Sequence, residues 1–294
     1  MLEYPLLNAL ASVLRTGSFE LAAHSLSITP SAVSQRIKLL EERLGCVLIV
    51  RGHPCSATPA GSRLFRHTEE VSLLEHTLAA DLKGLLPDES IPTIRIAVNA
   101  DSLATWFIEA LAETTGMLFD LVTDDQEHSA DLLRRREVMA AVTAHPGPVQ
   151  GCDSQPLGAL RYIAAASPAF VKLFFPDGLT EYAARHATAL TFNNKDKLQE
   201  TWLHGQLGTL ISFPTHMLPS SRGFVDAALA GLGWGMNPES LVKAHIENGN
   251  LVTLGTKPAL DIPLYWQSNR ATRKALAPLT KAVRTAAKRY LIAW

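Results

Sequence analysis

Between residues 29 and 38 the chain sets short hydroxyls ahead of longer amide and cationic groups: Thr29, Ser31, Ser34, Gln35, Arg36 and Lys38. Such a set can read nucleic acid. Glutamine bonds adenine through two atoms, arginine or lysine bonds guanine, and serine and threonine reach phosphates or base edges. Arg51, in a Gly- and Pro-containing stretch further on, is a further cation that can touch a backbone phosphate. Polarity alone would fit any solvated helix face. The spacing decides: Ala32, Val33, Ile37 and Leu40 interleave with the polar residues, so one helical face is apolar and the other is free to enter a groove.

A second group sits near residue 100. Asn99, Ala100, Asp101 and Ser102 end one apolar run and open a helical pattern that includes Trp106. In open α/β folds, ligands lie beyond the carboxyl ends of strands, where helix N-termini present free N–H groups to anions. Asp101, and Asp124 at the end of the next apolar run, could pair with a cation. Ser220 and Ser221, before a helix starting near Arg222, form the matching junction in a second lobe. Each has a plainer alternative: helix cap for Asp101, Ser220 and Ser221, solvated loop acid for Asp124, core aromatic for Trp106.

Other chemistries lack their residues. His24, His53, His67 and His76 have no metal-ligand spacing, and no HExxH, GxSxG or phosphate-loop lysine motif occurs. Gly231-Leu-Gly-Trp-Gly lacks the Lys-Ser/Thr of a phosphate loop and reads as a helix end and turn. Cys46, Cys55 and Cys152 are odd in number and unpaired in spacing, which argues against a disulfide framework or zinc knuckle. No metal, cofactor or enzymatic activity is expected. The chain has 294 residues, 47% hydrophobic and 19% charged, enough for two units with real cores. Net charge is −1, but residues 1–67 hold seven arginines and lysines against four glutamates, a locally basic head. With neither a signal peptide nor an apolar run of about 20 residues, the expectation is a cytoplasmic protein without a membrane partner.

The elements that must position these groups follow from periodicity. Leu6, Leu7, Leu10, Val13 and Leu14 mark a first helix, closed by Gly17-Ser18. Phe19–Leu26 makes a second. Thr29 and Pro30 are suited to cap and begin a third, with Ala32, Val33, Ile37, Leu40 and Leu44 inward, stopped by Gly45. Val47–Val50 and the turn Arg51–Thr58 read as a β-wing. From Pro59 to Leu86 a long helix exposes the seam Leu64, Val71, Leu74, Leu78, Leu82 and Leu85, which predicts pairing with a second chain. Leu86–Pro92 is the linker candidate. Beyond it strands and helices alternate: Ile94–Val98, Leu118–Thr123, Val138–Thr143, Tyr162–Ala166, Ala189–Phe192, Thr215–Leu218, Trp234–Met236, Leu251–Leu254 and Leu264–Gln267 read as strands, implying a parallel-rich α/β unit in two lobes.

Residues 1–67 resemble the LysR-type transcriptional regulators. Gly17-Ser18-Phe19 with Ala22-Ala23, the run Leu26–Ile37, Leu40–Gly45, Arg51 and Thr58–Gly61 carry the resemblance. It extends past the linker, where Ala97–Trp106, Leu133-Arg134-Arg135, Leu157–Leu160 and Phe175–Gly178 look like the arginine- and lysine-responsive branch. The resemblance implies a winged helix-turn-helix (1–58), a dimerising helix (59–86) and a periplasmic-binding-protein-like effector unit (92–294), its subdomains spanning 92–160 plus 268–294 and 161–267. It further implies a double-stranded operator, lysine or arginine as co-effector, RNA polymerase as a partner, a homodimer or homotetramer, and control of amino-acid export or biosynthesis genes. The wing tip Gly52–Ser56 carries fewer cations than many members. Two alternatives are a regulator answering another metabolite and a binding protein without a regulatory role.

Overall fold

The structure is a computed structural model that describes residues 3–82, 91–123 and 129–293. It divides into two compact units: residues 1–93 with 116–118, and residues 94–115 with 119–294.

The first unit is helical with a small ribbon. Helix α1 (Tyr4–Thr16) closes on Gly17, whose φ of 70° suits a residue without a side chain. Ser18 caps α2 (Phe19–Ser25) and Thr29 caps α3 (Pro30–Leu44), with Pro30 at the first helical position as expected. Strands β1 (Ile49–Val50) and β2 (Ser56–Ala57) pair antiparallel as the wing. Helix α4 (Pro59–Asp81) follows a Thr58 cap. Leu6, Leu7, Leu10, Val13, Val33, Ile37 and Leu40 share one core with Leu48 and Ile49. Leu44 does not join them: it is exposed at the last turn of α3, where the chain has run past the core. Leu74 and Leu78 are exposed on α4 and Leu82 at its C-cap, while Leu73 is buried. Leu85 and most of the linker candidate lie outside the described residues.

The second unit begins with β3 (Thr93–Val98), then α5 (Ala100–Ser102), a π-helical turn (Leu103–Phe107) and α6 (Ile108–Ala112), which run on as one bent helix. Next come β4 (Leu118–Thr123), α7 (Ser129–Arg134), β5 (Ala140–Thr143) and the long β6 (Cys152–Ala166). The chain continues through α8 (Pro168–Phe174), α9 (Glu181–His186), β7 (Ala189–Thr191), α10 (Leu198–Leu207) and β8 (Thr215–Met217). It ends with α11 (Ser221–Leu229), β9 (Gly235–Pro238), α12 (Glu239–Glu247), β10 (Val252–Thr253), β11 (Ala259–Asn269) and α13 (Ala277–Tyr290).

The main sheet runs β10-β6-β11-β5-β3-β4, with β9 also on β6. It is mixed, which corrects the parallel-rich expectation. β3 and β5 are parallel, as are β7 and β8, but β6 pairs antiparallel with β11, β9 and β10, and β11 pairs antiparallel with β5. The cause is the length of β6 and β11, which span both lobes side by side. Only the ends Tyr162–Ala166 and Leu264–Gln267 are legible in the sequence. Pro156 and Gly158 interrupt the apolar run of β6, and the pairing answers with an irregularity at Leu264/Tyr265. Gly158 sits at φ 126°, and a Cβ there would lie 2.7 Å from the Ile292 carbonyl oxygen, so the chain end packs where only glycine fits.

Candidate functional site

The first site is the outer face of α3. Thr29 Oγ1 accepts from the Ala32 N–H at 3.2 Å and bonds Ser31 Oγ at 3.0 Å, which fixes the entry turn. Ser27, with φ 55°, makes the tight turn from α2. Thr29, Ser31, Gln35 and Lys38 are exposed and Ser34 and Arg36 half-buried, whereas Val33, Ile37 and Leu40 are buried. The polar and apolar faces therefore part as the interleaved spacing requires. Lys38 is 3.7 Å from Glu42, an exposed pair whose attraction is weak enough to yield to a phosphate.

The wing is tied down on both sides. The Arg51 guanidinium lies 5.1 Å from the centre of the Phe19 ring, so Arg51 braces the wing against α2 while remaining exposed. Glu41, at the far end of α3, accepts the N–H groups of Leu48 (2.8 Å) and Ile49 (3.3 Å). This carboxylate sets the wing's angle to the reading helix. Its role was not legible, because a glutamate beside a second glutamate late in a helix reads as solvated. Gly61 completes the clamp: a Cβ there would meet the Leu48 carbonyl oxygen at 2.0 Å.

The second site lies where β3 meets α5. Asn99 Oδ1 accepts the Ser102 N–H at 3.0 Å, leaving Ala100 and Asp101 in the first turn. Asn99 and Ser102 are buried, and among the described residues Asn99 Nδ2 and Ser102 Oγ have no hydrogen-bond partner. The same holds for Ser221 Oγ. Ser220 behaves differently: it is exposed, and its Oγ accepts the Gly223 N–H at 3.1 Å as a plain cap of α11. Buried polar atoms without partners are rare, and clustered ones mark a place for a water, ion or ligand.

Asp101 faces this cluster. Its Oδ2 accepts the Tyr162 O–H at 2.8 Å, and no cation pairs with it among the described residues. Burial pushes its carboxyl above the usual 3.8; the Ser221 hydroxyl, which stands beside it without a well-formed hydrogen bond, and the Tyr162 O–H favour the charged form, and Asp196 opposes it. Asp196 is held by the N–H groups of Phe192 (2.9 Å) and Leu198 (3.0 Å) and lines a cavity of about 350 Å³ at the C-terminal ends of β7 and β8. In the sequence Asn193–Lys197 reads as a polar turn, so Asp196 carried no signal. Two carboxylates near one another, one desolvated, favour a cationic guest.

Trp106 is buried, edge-on to Phe107 at 5.4 Å, with its indole N–H unpartnered among the described residues. Asp124 lies outside the described residues. Among the described residues no His, Cys, Asp and Glu cluster suits a metal, and no helix is long and apolar enough to cross a membrane.

A groove-reading helix with a wing, joined in one chain to a two-lobed α/β receptor, defines a ligand-responsive DNA-binding regulator. Residues 5–62 match the bacterial regulatory helix-turn-helix proteins of the lysR family, and residues 87–288 match the LysR substrate binding domain. The chain belongs to the LysR family of transcriptional regulators, DNA-binding proteins rather than enzymes. Within it the chain falls in the LysG/ArgP branch. It is 44% identical to the transcriptional regulator LysG of Mycobacterium tuberculosis over 97% of this chain and 94% of that one. The crystal structure of ArgP from Mycobacterium tuberculosis superposes with a TM-score of 0.80 at 43% identity, covering 100% of both chains. LysG of Corynebacterium glutamicum, described as a lysine export transcriptional regulatory protein, is 40% identical over 96% of each chain. Its full-length structure with bound effector Arg gives a TM-score of 0.67, covering 99% of this chain and 100% of that one.

Proposed function

We propose that this regulator senses a basic amino acid, arginine or lysine, and controls genes for amino-acid export or biosynthesis. One observation carries the reading: among the described residues Asn99 Nδ2, Ser102 Oγ and Ser221 Oγ are buried without a well-formed hydrogen bond near Asp101, whose carboxyl has no cation paired with it there. An amino acid with a cationic side chain answers both needs. Its α-carboxylate accepts from the amide and hydroxyls at the start of the helix, and its ammonium or guanidinium neutralises Asp101, with Asp196 adding to the field. The effector Arg in the Corynebacterium glutamicum relative supports the choice.

On this reading Thr29, Ser31, Ser34, Gln35, Arg36 and Lys38 face the operator, and Arg51 supports the wing near a phosphate. The exposed Leu74, Leu78 and Leu82 of α4 are the surface for a second copy, so that heads read half-sites in pairs within a dimer or tetramer. The effector unit over residues 92–294 then shifts that assembly by binding one lobe arrangement better than another, and so changes access for RNA polymerase. A thermal-shift screen over the twenty amino acids tests the ligand. Arginine or lysine should raise the melting temperature at millimolar concentration, because a ligand bound to the folded state alone adds to its stability. A rise with a neutral or acidic amino acid, and none with these two, overturns the reading.

A further inference from the structure

Helix α13 buries Leu279, Ala282, Val283, Ala286 and Ala287 and turns Lys281, Arg284 and Lys288 outward along one flank. They lie three and four residues apart, so their cations share a face spanning about 10 Å of helix axis. Like charges at that spacing repel, and none of the three has a carboxylate partner among the described residues. Arg161, Arg270 and Arg289 show the alternative, each seated on an aspartate or glutamate.

The three cations rim a cavity of about 350 Å³, closed on its other side by Asp153 and Gln155 of β6 and Ser268 of β11, with Arg273 at one end. Asp153 does not neutralise them: its carboxylate is taken by Arg270 at 2.9 Å and Arg273 at 3.7 Å. Thr280 lines the wall, and its Oγ1 already accepts the Trp266 indole N–H at 3.1 Å, which leaves its own O–H free to donate. The cavity is therefore a concave, donor-rich, net-positive pocket on the opposite end of β6 from the Tyr162 region that faces Asp101.

We propose that this groove binds a small molecule bearing an oligophosphate, as a free polyphosphate or the phosphate chain of a nucleotide. A row of cations suits a row of phosphate charges, arginine giving a forked contact and the lysines point charges. The concavity suits a small guest that enters it, and its volume lies in the range of ligand pockets. Such a ligand would give the regulator a second input beside the amino acid.

Titration calorimetry on the full chain with sodium tripolyphosphate, and separately with ATP, tests this at 50 mM and 150 mM salt. We expect saturable 1:1 binding that weakens with salt. Replacing Lys281, Arg284 and Lys288 together by alanine should weaken it at least tenfold, with the melting temperature and arginine binding kept. A control removing three exposed cations elsewhere, Arg135, Lys172 and Lys243, has the same net charge and should change affinity less than threefold. Tighter ATP than tripolyphosphate identifies a nucleotide; equal affinities identify the phosphate chain alone. Absence of saturable binding, equal losses in both triple variants, or citrate binding as tightly as tripolyphosphate overturns the proposal.

Discussion

The two functional regions treat their small polar residues in opposite ways. In the DNA-binding unit Ser18, Thr29 and Thr58 each cap a helix with the hydroxyl bonded to a backbone N–H, and Thr29, Ser31, Gln35 and Lys38 on the outer face of α3 stand in water. Where β3 meets α5 and at the start of α11, Asn99, Ser102 and Ser221 are buried with a side-chain atom lacking a well-formed hydrogen bond among the described residues, near a carboxyl that burial pushes toward its neutral form. On the proposed function the difference follows from what each region meets. A DNA surface competes with water for exposed groups, so nothing is lost when the site is empty. A crevice for a small ligand must surround its guest, and its empty state carries unpaired polar atoms that the ligand satisfies. On that reading binding energy in the second region is partly stored beforehand, available as differential affinity between lobe arrangements.

The largest test asks whether the two regions fail separately. Gly61→Ala places a Cβ in contact with the Leu48 backbone, which lies between the wing and α4. The backbone must move, and we expect a loss of roughly 3 kcal/mol or more from the first unit. Operator binding should collapse in a gel-shift assay while calorimetry finds arginine bound as before. Loss of arginine binding as well would show that the regions do not act independently.

Asp101→Asn breaks the comparison from the other side. Arginine affinity should fall about a hundredfold, roughly 2.7 kcal/mol, because the guest's cation loses its partner. The ligand-free protein should melt no lower, and higher at neutral pH. The sign follows from the raised pKa: the folded state holds the proton more tightly than the unfolded chain, so this group's contribution is fully favourable below its ordinary 3.8 and is lost as pH rises through the folded value. At neutral pH the desolvated charge opposes folding, and asparagine removes it. In the native protein arginine affinity should weaken as pH falls through the Asp101 range, and the variant should lose that dependence. A variant that melts lower and binds unchanged would make Asp101 structural.

Gln35→Ala should leave stability alone and cost about 1–3 kcal/mol at one base pair of the operator, read by binding to a series of single-base variants. An equal loss on every sequence would move Gln35 from base to phosphate.

The legibility of each region in the sequence tracks the same contrast. Helices α1 to α3 obey local rules: Gly17 and Gly45 end helices, Thr29 and Pro30 begin one, and Val33, Ile37 and Leu40 repeat at helical spacing. The junction Asn99–Ser102 was visible because a strand end and a cap are local too. What escaped was non-local. Asp196 comes near Asp101 through a turn whose sequence is merely polar, and Glu41 acts on backbone seven and eight residues away. The pairing of β6 with β11, more than ninety residues apart at its closest, set the sheet's mixed direction, and no local period encodes it.

Ser220 and Ser221 give the finest division of the two behaviours, because adjacent residues of one type take one role each. Ser220 caps α11 from the surface, and Ser220→Ala should cost about 1 kcal/mol of stability with arginine affinity nearly unchanged. Ser221 is buried, and its Oγ stands beside the Asp101 carboxyl without a well-formed hydrogen bond, so Ser221→Ala removes little that holds the empty protein together. It should melt nearly unchanged and bind arginine roughly tenfold more weakly. Melting curves and calorimetry on the pair read both quantities at once. If the two variants behave alike, the unpaired atoms at the crevice are a packing feature and the stored-interaction account of this region fails. If they divide as stated, one turn of helix carries both a fold-holding hydroxyl and a ligand-holding one, separated only by which side of the backbone faces the crevice.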